Sequence, residues 1–221
     1  MEKNRILDAL KDQEITVLIE LLATAYDEMN TTQRRAVFGT FAKKIPPSVI
    51  DGEALLGDIE VFREESLAGV YYAPFNVNSK NYMDIPEETD EWFERLGDYL
   101  EQSRQLSQQG NHPLAIQCFG VLYTLIDTME DGEEIVFADE LGGWMIPVDE
   151  KPCLHAYISS LSAISTPEDF TAAVIPLLRR DSYASLANKV YPTAKKVANN
   201  AQRKALDAEI ARQNIRTTRN W

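Results

Sequence analysis

The chain has 221 residues, of which 44% are hydrophobic, 26% charged and 9% aromatic. These fractions are typical of a globular protein that can bury a core without disulfide or metal crosslinks, and they exclude collagen-like, low-complexity and wholly disordered chains. The net charge is −13, although residues 179–221 carry 10 basic and only 3 acidic residues. The acidic body disfavours nucleic acid and anionic membranes as partners.

The cysteine content and the first residues indicate a cytoplasmic protein. Cys118 and Cys153 are too few for the disulfide framework of a small secreted protein, and the first residues lack the apolar core of a signal peptide. The most apolar stretch, residues 15–25, is interrupted by Thr16 and Glu20. It is also far shorter than the roughly 20 residues of a membrane-spanning helix, so we expect no membrane association.

Helical periodicity dominates the first third of the chain. Apolar residues spaced three and four positions apart predict helices over about 13–30 and 52–67. Between them, a helix is expected to start at Thr31 or Thr32, which can cap it, and to end before Pro46.

This periodicity is lost over 69–88, where tyrosine, asparagine and proline are frequent. Long loops without regular structure are often functional, and tyrosine combines a large contact area with a polar tip. The loop is therefore either a binding surface or a set of aromatic side chains that plug the edge of a helical core. With two nearby tryptophans included, the candidate binding residues are Tyr71, Tyr72, Phe75, Asn76, Asn78, Tyr82, Trp92 and Trp144.

Two further helices follow the loop. The first is predicted to begin at Thr89, whose side chain can cap it, and to stop at Gly110. The second, over about 113–129, is apolar around most of its circumference. A helix of this kind is covered on several sides, which predicts that it is the central element of the fold.

These two helices have small and apolar residues at regular offsets. The positions are Tyr99, Ser103, Leu106, Ala115 and Phe119, with Gly110 at the turn. In this pattern, residues 96–129 resemble a tetratricopeptide-type helical hairpin, although serine replaces the usual glycine and no second copy follows at the family's spacing of about 34 residues. The resemblance implies an α-solenoid whose concave face binds a peptide or protein, and it transfers no individual binding residues.

A change in pattern after the central helix predicts a small β-hairpin over about 134–148. The β-prone runs 135–138 and 144–146 are separated by a short segment that contains Gly142 and Gly143. An isolated two-stranded hairpin is only marginally stable, so we expect it to pack against helices.

The last third of the chain again has helical periodicity. Helices are predicted over about 154–164, from Thr166 onward, over about 182–191, and over about 193–214. Pro176 is expected to end or kink the second of these helices.

These elements predict an all-α fold, a solenoid-like stack of antiparallel helix pairs with one β-hairpin insertion. We expect a single helical domain over 1–221. Its predicted segments are N-terminal helices (1–68), a long aromatic and asparagine-rich loop (69–88), central helices with the hairpin (89–190), and a basic C-terminal helix and tail (191–221).

No catalytic signature is present, so the sequence specifies no reaction. The histidines and cysteines (His112, Cys118, Cys153 and His155) lack the spacing of a metal site. The acidic run 127–134 lacks oxygen ligands at required positions of a calcium loop, and no glycine-rich phosphate loop occurs. We therefore expect no metal or cofactor.

We expect a non-enzymatic module that binds a protein or peptide in a groove between the 70–85 loop and the 92–106 helix. One alternative is an acidic inhibitor that mimics nucleic acid or caps a basic partner. The other is an enzyme with a cleft between loop and hairpin that uses Asp139, Glu140 and tyrosines. The basic C-terminal segment is expected to dock on the acidic body or to form a homo-oligomer, and nucleic acid is not an expected partner.

Overall fold

The structure is a computed structural model that describes residues 3–29, 31–42, 49–137, 142–180, 189–215 and 217. Most of these residues are helical, and none of the helices among them is long and apolar enough to cross a membrane. The helices in chain order are α1 Lys3–Leu10, α2 Ile15–Asp27, α3 Thr31–Ala42, α4 Gly52–Leu67, α5 Glu87–Gln108, α6 His112–Glu130, α7 Glu150–Ile164, α8 Pro167–Arg180, α9 Val190–Val197 and α10 Asn200–Gln213, with a 3-10 helix at Gly142–Met145.

The chain divides into two compact units, which we call the N-terminal unit (1–48) and the C-terminal unit (49–221). Helices α1 to α3 belong to the N-terminal unit, and α4 to α10 belong to the C-terminal unit. The single domain predicted for 1–221 stays a prediction.

Helix α6 packs against α4, α5 and α7 within the C-terminal unit, as expected for a helix that is apolar on most sides. The Phe119 ring stacks on Tyr123 at a centroid distance of 6.2 Å and lies 5.3 Å from the Tyr157 ring of α7. Burial of one large apolar side chain contributes about 1.5–3 kcal/mol. The buried residues of α6 are Ala115, Cys118, Phe119, Leu122, Tyr123, Leu125, Ile126 and Met129.

Helices α5 and α6 form the predicted helical hairpin. Gly110, at the turn, has a φ of +84°, a conformation that glycine adopts without strain. Ser103 is buried, and its hydroxyl donates to the Tyr99 carbonyl at 2.7 Å. Leu106 and Ala115 are buried as well. Four of the five positions singled out in the sequence therefore lie in the core and Tyr99 is half-buried, whereas a solenoid of repeated hairpins is not confirmed.

The all-α class is confirmed, but the β-hairpin predicted over 134–148 is not. The described part of that segment contains no strand, and Gly142–Met145 form a 3-10 helix. The Thr89 hydroxyl donates to the Phe137 carbonyl at 2.7 Å and accepts from the Phe137 N–H at 3.2 Å, so a side chain pairs with backbone groups that a second strand would use. Residues 138–141 lie outside the described residues.

The helix predicted over 193–214 is two helices, α9 and α10. Asn199 interrupts it, because its side chain accepts hydrogen bonds from the N–H groups of Ala201 and Gln202 and so starts a new helix. The Gln202 side-chain oxygen in turn accepts a hydrogen bond from the Asn199 N–H, which completes a capping box. Helix α9 packs on α7 and α8, and α10 packs on α8.

Gln202 is fully buried and joins this helix junction to the end of α7. Its amide nitrogen donates to the carbonyls of Ser162 and Ser165 at 3.0 and 3.1 Å. Its amide oxygen accepts from the Asn199 N–H at 3.0 Å and from the Ser162 hydroxyl at 2.9 Å. Each polar atom of this amide is therefore satisfied in the interior.

Other helix limits also differ from the sequence prediction. Helix α8 continues through Pro176 to Arg180, and α1 was not predicted at all. Most of the helix predicted over 182–191 falls in 181–188, which lies outside the described residues.

Candidate functional site

Two of the predicted contact residues, Tyr71 and Trp92, are buried in the core of the C-terminal unit. The Trp92 indole N–H donates to the Ser66 hydroxyl at 2.9 Å, and the Tyr71 hydroxyl donates to the Glu65 carboxylate at 2.9 Å. Both side chains thus join α4 and the start of the loop to the helical core. Tyr71 and Trp92 as contacts for a partner stay a prediction.

Arg95 fixes the start of the loop to α4 and α5. Its guanidinium lies 3.0 Å from the Glu65 carboxylate, 5.0 Å from the centre of the Phe62 ring, and within hydrogen-bond distance of the Tyr71 hydroxyl. Burial and the bond to Glu65 raise the pKa of Tyr71, so this hydroxyl stays protonated. Arg95 gave no signal in the sequence, since one arginine on a helix carries no motif.

Tyr72 and Phe75 are partly exposed and pack against the segment that follows α6. The Tyr72 ring lies 6.1 Å from the Phe137 ring, and its hydroxyl donates to the Glu134 carboxylate at 3.5 Å. The Phe75 ring lies 5.2 Å from Phe137 in an edge-to-face arrangement. These contacts attach the loop to the fold at a second place. Phe137 was predicted from the sequence to lie in a strand.

Asparagine side chains order the middle of the loop. The side-chain amides of Asn78 and Asn81 donate to the Asn76 carbonyl at 3.4 and 3.0 Å. The Asn78 side-chain oxygen accepts from the Lys80 N–H at 2.9 Å. Such bonds between side chains and nearby backbone stabilise turns. The Asn78 side chain therefore stabilises the loop itself, and Asn76 contributes its backbone carbonyl as an acceptor.

Four apolar side chains between residues 77 and 85 of this loop project into solvent, and we call them the loop surface. Their exposed fractions range from 40% at Ile85 to 76% at Met83. Single exposed apolar residues are ordinary, but a group of them on one surface often marks an interaction site. Only Tyr82 was among the predicted contacts, because the sequence prediction followed the aromatic residues. The members of the loop surface are Val77, Tyr82, Met83 and Ile85.

Acidic residues flank the loop surface. Residues 84–94 contain six carboxylates and no basic residue, and residues 127–134 contain five carboxylates and no basic residue. The bond from Thr89 to Phe137 connects α5 to the segment that follows α6, and the bond from Tyr72 to Glu134 connects the loop to that same segment. Burial and the nearby Glu94 raise the pKa of Asp90, as expected where carboxylates are crowded.

Leu96, Leu100 and Leu106 of the helix predicted to line the groove are buried, and the groove along 92–106 stays a prediction. Trp144 lies in the 3-10 helix, and its side chain is outside the described residues, as are Asp139 and Glu140.

A groove of about 450 Å³ lies between α8 and α10. The Arg179 guanidinium donates to the Gln213 side chain across it at 2.7 Å. Hydrogen bonds from Arg212 and Gln213 lower the pKa of Glu209 to about 2, so this carboxylate is unsuited to donate a proton at neutral pH.

The two cysteine thiols are buried and protonated, and one histidine contacts a buried serine. Burial raises the pKa of Cys118 to about 11 and that of Cys153 to about 12, so both thiols are protonated at neutral pH. His112 Nδ1 lies 3.1 Å from the hydroxyl of Ser160, which is fully buried. Within the part of the chain that the structure describes, no three His, Cys, Asp or Glu side chains are grouped to hold a metal ion.

The basic C-terminal helices pack within the C-terminal unit. Val190, Ala194 and Leu206 are buried there. The Lys195 ammonium lies 2.5 Å from the Asp207 carboxylate, so part of the positive charge is neutralised locally. A homo-oligomer formed through this segment stays a prediction.

Comparison of the chain with protein families, curated proteins and solved structures found no significant match. The resemblance of 96–129 to a tetratricopeptide hairpin is therefore not confirmed by a family match, and the function has to be argued from the chemistry of the surface itself.

Proposed function

We propose that the protein is a non-enzymatic protein-binding module whose 70–86 loop binds a segment of a partner protein with both apolar and basic side chains. The observation that supports this most strongly is the exposure of the loop surface on a loop that its own hydrogen bonds already order.

The apolar side chains of the loop surface supply the attraction. Burial of apolar area contributes about 25 cal/mol per Å², so covering these four side chains favours association. Tyr82 offers a rigid ring with a polar tip, and Met83 is flexible enough to fit irregular partner surfaces. Aliphatic or aromatic side chains of a partner would pack against these residues of the loop surface.

The flanking carboxylates determine the preferred charge of the partner. The eleven acidic residues of 84–94 and 127–134 attract lysine and arginine, and they repel acidic segments. Because these carboxylates are on the surface, their contribution weakens as salt concentration rises.

The acidic-inhibitor alternative is favoured by the same carboxylates. An inhibitor of this class would compete with a polyanion for one basic protein, whereas a general binding module would not require such competition. Displacement of the partner by heparin or DNA would distinguish the two classes.

The proposal is tested by selecting peptides from a random phage-displayed library on the purified full-length protein. Selected peptides should combine basic with aromatic or aliphatic residues. The affinity of a selected peptide, measured by fluorescence anisotropy, should fall about tenfold or more in a Tyr82→Ser/Met83→Ser variant. A Glu87→Gln/Glu88→Gln variant should bind with a smaller dependence on salt.

The control is a Val61→Ser/Leu67→Ser variant, since both residues are exposed apolar positions of α4 outside the loop. This control should bind the selected peptides with unchanged affinity. The proposal is wrong if no peptide is enriched, or if the Tyr82→Ser/Met83→Ser variant binds the selected peptides as tightly as the wild type.

A further inference from the structure

We propose that the N-terminal unit is a self-association element that pairs with the N-terminal unit of a second copy of this chain. This inference does not depend on the loop surface, which belongs to the C-terminal unit.

The N-terminal unit has apolar side chains but no core of its own in the described structure. Among its described side chains in 3–29 and 31–42, none is buried. Along α2, a stripe of four large side chains is exposed, from 44% at Tyr26 to 76% at Ile15. Apolar area of this extent is stabilised when another apolar surface covers it. We call these residues the α2 stripe: Ile15, Ile19, Leu22 and Tyr26.

The spacing of the α2 stripe fits a second helix of the same kind. Its members follow one another at intervals of four, three and four residues, which is the alternation of the two apolar positions in a coiled-coil heptad. The residues beside the stripe, including Thr16, Leu18 and Ala23, are uncharged. Two copies of α2 can therefore approach along this stripe without bringing charged side chains into the contact.

Contacts between the end of α2 and side chains of α3 hold the stripe on a formed element. The Arg34 side chain donates to the Tyr26 carbonyl at 2.9 Å, and its guanidinium lies 4.8 Å from the centre of the Tyr26 ring. The rings of Tyr26 and Phe38 meet edge to face at 5.4 Å. A cation near the last carbonyls of α2 also stabilises the end of that helix.

The distribution of charge favours a copy of this unit over other partners. Residues 1–48 contain seven acidic and seven basic residues, whereas 49–221 carry the whole net charge of −13. Two copies of this neutral unit can therefore meet without the net repulsion that two copies of the acidic unit would experience.

An anionic membrane is a poorer match for the stripe. Helices that lie on such membranes have lysine and arginine on the polar face, and α2 contains neither.

The test is the mass of the full-length protein in solution, measured by sedimentation velocity over a concentration series. The wild type should change from monomer to dimer as its concentration rises. An Ile19→Glu/Leu22→Glu variant should raise the dimer dissociation constant about tenfold or more, because it places carboxylates in the contact. An Ile19→Gln/Leu22→Gln variant should weaken the dimer in the same direction, and circular dichroism verifies that each variant keeps its helices.

The matched control is Val61→Glu/Leu67→Glu on α4. Ile19 and Leu22 are 60% and 52% exposed, and Leu67 and Val61 are 59% and 52% exposed. The control should dimerise like the wild type. The inference is overturned if the wild type stays monomeric throughout, or if the folded variants of the α2 stripe dimerise as tightly as the control.

Discussion

Helices α2 and α6 are both rich in apolar residues, yet their surroundings in the structure are opposite. Helix α6 is covered by α4, α5 and α7 and buries eight residues, among them Phe119 and Leu122. Helix α2 buries none, and Ile15 and Ile19 remain mostly exposed. The difference shows that an apolar helical pattern predicts a need for covering surface but does not identify the surface that supplies it.

The first prediction contrasts a covered with an uncovered position of these two helices. Phe119→Ala should lower the free energy of unfolding by about 3–5 kcal/mol, since it leaves a cavity beside Tyr123 and Tyr157. Leu22→Ala should change it by less than about 0.5 kcal/mol at concentrations where the chain is monomeric. Urea unfolding followed by circular dichroism measures both. Equal losses would show that the α2 stripe is covered within one chain.

A second prediction extends the contrast to polar side chains. Gln202→Leu should cost about 1–3 kcal/mol, because buried carbonyls at Ser162 and Ser165 lose their donor. The control Gln117→Leu, at an exposed position of α6, should change stability by less than about 0.5 kcal/mol. Thermal unfolding of the two variants side by side is the measurement. An unaffected Gln202→Leu variant would mean that this junction is not closed to water.

A third prediction uses two glycines inside helices. A methyl group at Gly97 would lie 3.0 Å from Cδ of Pro147, whereas at Gly57 it would meet no atom within 4 Å. Gly97→Ala should therefore lower the free energy of unfolding by about 1 kcal/mol, because the proline has to move. Gly57→Ala should stabilise by about 0.5–1 kcal/mol, because alanine is the better helix former. Chemical denaturation decides the sign, and a stabilised Gly97→Ala variant would contradict the close packing.

The smallest expected effect depends on pH. Burial raises the pKa of Cys153 to about 12, above that of a thiol in the unfolded chain. The folded state thus holds this proton more tightly, and the stabilisation is present below the unfolded pKa and is lost as pH rises towards the folded pKa. Relative to a Cys153→Ala variant, the wild type should lose about 0.5 kcal/mol of stability between about pH 7 and pH 9. If the difference in stability between the wild type and the Cys153→Ala variant does not change with pH, the thiol is accessible to water.

Much of the helical architecture followed from the sequence because the apolar period of a helix reflects one-sided burial. The limits of α4 and the central position of α6 were predicted in this way. The break at Asn199 was not, because the alanine-rich period continues on both sides of it, although the bonds of its capping box are local in sequence. The false hairpin has a similar origin, because β-prone residues at 135 and 136 are buried without a strand partner.

The candidate site was predictable only in location. Loss of periodicity and frequent asparagines marked the loop, but burial decides which aromatic side chains remain available. Trp92 and Tyr82 look alike as candidates in the sequence, and the structure buries Trp92 while leaving Tyr82 exposed. Val77 and Met83 gave no signal of their own, because an apolar residue in a loop is remarkable only once its exposure is known.

The attachment of the loop by Arg95 at its start, and by asparagines in its middle, has a consequence for the thermodynamics of association. A segment whose turns are already closed loses little conformational freedom when another molecule settles on it. More of the favourable free energy of the contact then remains as affinity. Complexes with such a preorganised loop would differ from one another chiefly in how slowly they dissociate.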